Sequence, residues 1–389
     1  MNSGMVKNPQ LVYVTPALYM AGGVERVLTL KANYFAENFG YDITIILTEG
    51  YGKPLFYPLS KKIKVENLNI GFEELWTCSF LKKIFVYLKK QRFFKKQLTN
   101  KLMQLRPDIT ISLLRREINF LNDIKDGSIK IGELHVNRAN YRNFEANDSN
   151  FLKDLFSKFW MHSLVMKLKK LDCFVVLTEE DKSAWPELQN ICVIPDPLSF
   201  VPIQRSQLSE KRIIAVGRYV YQKGFDLLLQ VWAKIEKKFP DWEMAIFGDG
   251  NREPYIRQMK ELGIDTCRCH LNGITADIQK EYVNSSIFAF SSRFEGFGMV
   301  LIEAMACGLP VVSFDCPCGP KDIVKEGEDG ILVENGNVEA FASSLSQLMQ
   351  NPSLCQTMAE AGQTNVQRFY MDQIAKKWEY IFKSNVMLS

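Results

Sequence analysis

Ser291-Ser292-Arg293-Phe294-Glu295-Gly296-Phe297-Gly298-Met299-Val300-Leu301-Ile302-Glu303-Ala304 is the stretch on which the fold turns. The apolar run Ile287 to Phe290 before it reads as a strand, and Met299 to Cys307 reads as a helix. In the loop between them, Gly296 and Gly298 let a ligand lie against the backbone. A helix that opens near Gly298 presents free N–H groups, which favour an anion. Glu295 sits in the loop. Glu303 sits on the helix among Leu301, Ile302 and Ala304, where a carboxylate needs a partner.

Outward from this stretch the chain repeats the same rhythm. Residues 11–14, 43–47, 109–114, 129–134, 174–177 and 192–194 are short apolar runs in the first half. Residues 213–216, 244–247, 287–290, 311–314 and 331–333 are their counterparts in the second. Helical patterns over 225–239, 252–262, 299–307, 338–349 and 353–369 lie between the latter. Continuous apolar strands buried on both faces suit parallel sheets. Repeated βα units in both halves predict two doubly wound α/β domains. Pro195-Asp196-Pro197 and the polar stretch Gln204 to Arg212 break the pattern. The expected division is therefore 1–200, 201–370 and a terminal helix within 371–389, too short to be a domain and bound to dock elsewhere.

Composition agrees with a globular chain: of 389 residues, 47% are hydrophobic and 24% charged. Met1 to Pro9 has one Lys and no apolar run, so no signal peptide is expected. Gly296 to Phe314 is weakly charged, but Glu303, Pro310 and its glycines mark it as buried core rather than a membrane span. The nine cysteines then read as reduced thiols. Cys267, Cys269, His270 and Cys316, Cys318 have C-x-C spacing, unlike the usual zinc pattern, and read as buried apolar residues. Neither a metal nor a cofactor is expected.

Ligands of doubly wound sheets gather at the carboxyl ends of the strands. Gly22-Gly23 follows the first strand and opens a helix. Gly217-Arg218 ends the first strand of the second half, with Lys223-Gly224 before the next helix. Arg and Lys together there form a suitable diphosphate clamp. No G-x-G-x-x-G or G-x-x-x-x-G-K-[ST] pattern occurs, which argues against a dinucleotide fold or a Walker-type NTPase.

Glu295, seven residues, Glu303 and then Ala304-Met305-Ala306-Cys307-Gly308-Leu309-Pro310-Val311-Val312 resemble the signature of the retaining family 4 glycosyltransferases. The resemblance covers most of the chain, strongly in the second half. In the first half only the glycine turn and a histidine match, and the acceptor half fits no subfamily pattern. It implies the GT-B fold, two Rossmann-like domains facing a central cleft, with 1–200 on the acceptor side, 201–370 binding the nucleotide sugar and the helix of 371–389 packing back on the N-terminal domain. It implies that Arg218 and Lys223, after Gly217, hold the donor diphosphate. Glu295 would bind donor-sugar hydroxyls and Glu303 the ribose. Gly296, Phe297 and the amides of Gly298, Met299 and Val300 would meet phosphate or sugar, and Gly273 and Ile274 the base. Gly22 and Gly23 would face the phosphates. Of three histidines, His135, after the strand ending at Leu134, would meet the reacting sugar. His162 reads as packing and His270 as part of a strand. Lys321 and Asp322, after Gly319-Pro320, lie where the family often has a loop near the base or sugar.

The implied activity is metal-independent, retaining transfer from a nucleotide sugar (UDP-Gal, UDP-Glc or a UDP-N-acetylhexosamine) to a glycan or lipid-linked glycan in cell-surface polysaccharide or lipopolysaccharide synthesis. Two other readings stay open: a non-hydrolysing UDP-sugar epimerase on the same fold, and a non-catalytic nucleotide-sugar-binding protein at a membrane. Net charge is +4 overall, but residues 1–200 carry +7 and the remainder −3. Between Lys82 and Arg106 stand nine basic residues and no acid. Interleaved with Ile84, Phe85, Leu88, Phe93, Phe94, Leu98 and Leu102, they predict an amphipathic helix with a basic face. Such a helix suits an anionic membrane surface, which places the chain in the cytoplasm at the inner face. No nucleic-acid recognition motif accompanies the charge, so no nucleic-acid partner is expected.

Overall fold

The computed structural model describes residues 9–77, 79–141 and 151–386. The chain divides into two compact units. One comprises Met1–Leu177, Asp181–Pro197 and Ile374–Ser389, the other Thr178–Glu180 and Leu198–Gln373.

The first unit is built on a seven-stranded parallel sheet. Its strands are β1 (Gln10–Thr15), β2 (Asp42–Leu47), β3 (Lys64–Asn67), β4 (Ile109–Ser112), β5 (Ile129–Glu133), β6 (Cys173–Val176) and β7 (Ile191–Val193). They lie in the order β3-β2-β1-β4-β5-β6-β7. Apolar β1 is central: Leu11 registers with Ile43 on one side and Ile109 on the other. Connections run through α1 (Gly23–Asn38), α2 (Phe80–Leu105), α3 (Phe151–Leu168) and the short α4 (Glu179–Ser183). One layer of the core joins Val12, Val14, Phe94, Leu98, Leu168, Phe174 and Trp185.

The second unit has six parallel strands: β8 (Arg212–Val216), β9 (Glu243–Phe247), β10 (Cys269–Asn272), β11 (Ile287–Phe290), β12 (Val311–Asp315) and β13 (Gly330–Glu334). Their order is β10-β9-β8-β11-β12-β13. The helices are α5 (Phe225–Ile235), α6 (Glu253–Leu262), α7 (Ile278–Val283), α8 (Met299–Ala306), α9 (Pro320–Ile323), α10 (Val338–Gln350) and α11 (Pro352–Asn365). Trp232, Leu228, Phe314, Phe341 and Leu345 are buried together, the two phenylalanine rings meeting edge-on at 4.7 Å.

The last helix, α12 (Met371–Val386), is amphipathic. From Ile374 onward it belongs to the first unit, and Ile374, Trp378 and Phe382 are buried. The Phe382 ring lies 5.5 Å from Phe35 and 6.3 Å from Tyr41.

Both expected parallel sheets are present. The strand expected over 109–114 stops at Ser112. There the Ser112 hydroxyl accepts from the Leu114 amide at 3.0 Å, and Leu114 turns to φ +50°, so the ladder cannot continue. The edge strand β3 escapes a search for apolar runs because its sequence is Lys-Val-Glu-Asn and it is largely exposed. The helix expected to Phe369 ends at Asn365 and continues as a tighter turn over Val366–Phe369. Cys267 is exposed and not buried, whereas Cys269, Cys316 and Cys318 are buried. His162 is exposed on α3 rather than packed.

Helix α2 spans the expected basic stretch. Phe94, Leu98 and Leu102 are fully buried, while Ile84, Phe85, Leu88 and Phe93 are exposed. The side chains of Phe80 and Leu81 lie outside the described residues. This two-sidedness sets a direct expectation. Phe94→Ala, at 0% exposure, costs about 3–5 kcal/mol in the unfolding of the first unit. Phe85→Ala, at 71% exposure, stays within about 0.5 kcal/mol. Urea unfolding of the two variants measures the contrast.

Candidate active site

In each sheet the strand order reverses beside the first strand, between β1 and β4 and between β8 and β11. Neighbouring connections leave in opposite directions there, which opens a crevice at the carboxyl ends. Most of the residues singled out in the sequence lie on the segments that leave these strand ends.

In the second unit, β8 ends at Val216 and the chain passes through Gly217 and Arg218 into a tight turn, Tyr221–Lys223. A Cβ on Gly217 would press on the Lys223 aliphatic chain at 3.1 Å, which would then have to shift. The turn is bound to the segment leaving β11. Arg293 N–H donates to the Gln222 carbonyl at 2.7 Å, and the Ser291 hydroxyl donates to the Lys223 carbonyl at 2.9 Å. Gly224, at φ +62°, comes so close that an added Cβ would sit 2.0 Å from the Ser291 carbonyl oxygen. Lys223 Nζ consequently reaches Glu295 Oε1 at 2.6 Å. Gln222 Nε2 donates to the Phe294 carbonyl at 3.0 Å and approaches Glu295 Oε2 at 3.3 Å. Arg293 is not free: it grips Asp226 with both terminal nitrogens, at 2.7 and 2.6 Å, over the Tyr221 ring. That contact first, and then the Asp226 charge, raise its proton affinity. Arg218 is exposed, and its guanidinium has no hydrogen bond or ion pair among the described residues.

Gly298 caps α8 at φ +103°. The N–H groups of Met299 and Val300, in the first turn, have no backbone acceptor among the described residues. The Phe297 ring is buried and packs edge-on against Phe369 at 5.5 Å, which leaves the ring unavailable to a donor. Gly296 is half-buried in the same loop. Glu303 is buried on α8, where it accepts from the Ser199 hydroxyl and, at 3.2 Å, from the Tyr282 hydroxyl. Its oxygens thus already receive hydroxyl protons of the kind a ribose would offer. Gly273 follows β10 with open space above its Cα, and Ile274 is exposed. Lys321 is paired with Asp315 at 2.8 Å, and Asp322 accepts from the Glu179 amide at 2.9 Å.

In the first unit, Gly22 caps α1 and Gly23 is its first residue. A Cβ on Gly22 would strike the Glu25 carboxylate, 1.9 Å away. Val24, Leu113, Arg115, Leu134, His135, Val136 and Tyr141 line one narrow cleft, which brings the start of α1 and His135 together.

His135 is buried between two carboxylates. Nε2 lies 3.2 Å from Glu133 Oε1 and Nδ1 lies 3.4 Å from Asp196 Oδ1, ion-pair distances without aligned hydrogen bonds. Glu133 Oε1 also pairs with Lys31 Nζ, which in turn lies 4.3 Å from the centre of the Trp378 ring. Burial alone would strip the proton from His135. The charges of Glu133 and Asp196 outweigh it and push the imidazole up to about 9. Burial alone would likewise raise Glu133, but Lys31 and then His135 draw it down to about 2. Glu133, His135 and Asp196 have the donor atoms for a metal ion. The Lys31 ammonium already supplies the positive charge at Glu133, so this donor set does not fit one.

The sequence reading passed over Gln222, Ser199, Tyr282, Lys31, Glu133 and Asp196. Two left a signal. Lys31 falls on the buried stripe of α1 with Val27, Leu28 and Phe35, and Glu133 ends an otherwise apolar strand. Both positions demand a buried partner.

The sequence model of the family described as Glycosyl transferases group 1 matches residues 200–365. An uncharacterized glycosyltransferase of Haemophilus influenzae is 31% identical over 375 residues, covering 93% of this chain and 96% of the relative. The amylovoran biosynthesis glycosyltransferase AmsD of Erwinia amylovora is 26% identical over 387 residues, covering 96% and 99%. Among solved structures, a variant of S. aureus TarM in complex with fondaparinux, α-GlcNAc-glycerol and UDP matches with a TM-score of 0.75 at 16% identity, covering 96% of this chain and 99% of that one. The shared fold is GT-B.

The tight fit at Gly224 gives a test independent of any ligand. Gly224→Ala meets both a left-handed backbone and the Ser291 carbonyl. Gly263→Ala, at φ +66° with nothing within 4 Å, meets the backbone penalty alone, about 1–2 kcal/mol. Thermal unfolding should place Gly224→Ala well below Gly263→Ala.

Proposed function

This chain belongs to the group 1 glycosyltransferases, and from that membership we propose that it moves a sugar from a UDP-linked donor to a hydroxyl of a glycan or lipid-linked glycan, with retention at the anomeric carbon. The donor sugar is galactose, glucose or an N-acetylhexosamine, and the pathway is the building of a cell-surface polysaccharide or lipopolysaccharide. Relatives with such roles support this, AmsD in amylovoran biosynthesis among them.

One observation carries the reading: the uncommitted Arg218, the Lys223–Glu295 pair and the open amides of α8 all lie on segments leaving the β8/β11 reversal. Lys223 spends one ammonium proton on Glu295 and keeps two for phosphate oxygens. Arg218 adds a planar fork. These groups stabilise the leaving diphosphate where its charge develops, so the proposed transfer is metal-independent. Glu295, held by Lys223 and Gln222, accepts from the sugar hydroxyls. Glu303 takes the ribose, and Ile274, beside Gly273, offers an apolar surface to the base. In the first unit Gly22, Gly23 and His135 serve the phosphates and the reacting sugar. The leaving phosphate itself helps to take the acceptor proton.

The acceptor is reached at an anionic lipid surface, for which α2 is the contact. Lys90, Lys95 and Lys101 are tied to Glu74, Asp123 and Glu66. Lys82, Lys83, Lys89, Arg92 and Lys96 are exposed, without ion pairs among the described residues. With Ile84, Phe85 and Leu88 they combine charge and apolar surface, and each free cation adds about 1 kcal/mol at such a surface. No helix among the described residues is long and apolar enough to cross a membrane.

Arg218→Ala should weaken UDP binding and slow transfer by about 1.5–3 kcal/mol, in buffer containing EDTA as well as without it. Wild-type turnover of the variant, or loss of wild-type activity in EDTA with recovery on Mn²⁺, would remove the assignment. Replacing Lys82, Lys83, Lys89 and Lys96 together by Gln should release the protein from vesicles containing phosphatidylglycerol while UDP affinity stays the same. Vesicle binding unchanged by the four substitutions would count against the lipid contact.

A further inference from the structure

Four buried charges meet around the end of β5: Lys31 from α1, Glu133 from β5, His135 beyond it and Asp196 from Pro195-Asp196-Pro197. With His135 protonated, two are positive and two negative and the cluster is neutral as a whole, which a low-dielectric interior favours.

The geometry restricts the protonation of the imidazole. A neutral ring has one N–H and one bare nitrogen. Here each nitrogen faces a carboxylate oxygen, at 3.2 Å and 3.4 Å. In either neutral tautomer a lone pair would point at a negative charge. Only the doubly protonated ring is attracted on both sides. The surroundings agree. Arg115 and Tyr141 line the same cleft, the Tyr141 hydroxyl being taken up by the Leu114 carbonyl, and Tyr13 lies near Glu133. Burial first, and then the Glu133 charge, hold the Tyr13 hydroxyl protonated. Lys31 shares Glu133 Oε1 with His135 but leaves Oε2 without a hydrogen bond among the described residues. The Lys31 end is itself fixed, beneath the Trp378 ring of α12.

We propose that Glu133 and Asp196 are positioning residues for His135: they clamp its imidazole from both nitrogens and keep it doubly protonated, so that it serves the bound sugar as a fixed cation and not as the base that takes the acceptor proton. Lys31 is the counter-charge that lets Glu133 do this while buried. The proposal rests on the assignment of His135 to the reacting sugar, and the two are separable by experiment.

The chain has three histidines, so ¹⁵N-histidine spectra of the full-length protein resolve each ring. Across pH 5.5–8.5, with each ring assigned by the single substitutions His162→Gln and His270→Gln, His135 should stay protonated beyond pH 8. Asp196→Asn, which keeps shape and removes charge, should bring the His135 midpoint down towards neutrality. Its kcat/KM should then gain a falling limb, about tenfold between pH 6 and pH 8, that the wild type lacks. A His135 that titrates near 6.5 in the wild type overturns the proposal without any variant, as does a titration indifferent to Asp196→Asn. Addition of UDP-glucose tests the other assignment. His135 signals that hold their charge yet ignore a bound donor would leave the ionic clamp standing and remove His135 from the sugar.

Discussion

A parallel sheet brings the carboxyl ends of all its strands to one edge, and each crossover must return over a face of the sheet to start the next strand at the opposite edge. Where the strand order reverses, neighbouring crossovers cover opposite faces and leave the edge between them open. Nearly everything chemical in this protein follows from that geometry. In the first unit the reversal beside β1 is flanked by the opening of α1 at Gly23 and by the end of β4, with His135 beyond β5 in the same cleft. In the second it is flanked by Gly217 and Arg218 on one side and by Ser291 to Glu295 on the other. The glycines that matter are those where two such segments nearly touch, as at Gly224 against Ser291 and Gly319 against Phe297.

The second constraint is the cost of buried charge. Removing one member of a buried pair leaves an uncompensated ion, at about 3–5 kcal/mol, so pairs are kept or lost together. Lys31–Glu133 and Lys223–Glu295 are both pairs of this kind. Their settings differ. Lys31 is enclosed, with 1% of its side chain exposed, and its ammonium is confined by Glu133 and Trp378. Lys223 retains 15% exposure and has protons to spare. In the functions proposed above, the first holds a neighbour still and the second meets a ligand.

Much of this was legible in the sequence because apolar runs and glycines are local signals. The central strands of both sheets, α2 and the loop Glu295 to Gly298 were found from spacing alone. The edge strand β3 was not, since Lys-Val-Glu-Asn has no apolar face and is defined only by its ladder to β2. Partners were the other gap. That Glu303 is buried could be read from its neighbours, but Ser199 and Tyr282, respectively 104 and 21 residues away, could not be named. Lys31 stood in plain view on an apolar stripe, yet its meaning depends on Glu133, 102 residues on. His162, by contrast, looked like packing because Trp160, Met161 and Leu164 surround it in sequence. On the folded helix it points out, because α3 buries Leu164, Val165 and Leu168 instead.

Each unit holds its own set of charges, and both sets bear on the retaining transfer proposed above. Such a reaction places its largest charge on the leaving diphosphate, and that charge needs cations free to approach it. In the proposed function these cations are Arg218 and Lys223 of the second unit, the latter with protons to spare. Under that proposal no protein base is needed, because the departing phosphate gains basicity as the bond to the sugar breaks. A histidine able to accept a proton would compete with that phosphate and lose its own charge in doing so. In the proposed clamp, the enclosure of His135 between Glu133 and Asp196 prevents this, and with His135 protonated the four-group cluster is neutral, which lets it persist in a buried place. In that proposal the carboxylates that keep the histidine from acting as a base also hold its ring between them. Orientation and protonation state are thus one property of this site, set by two distances.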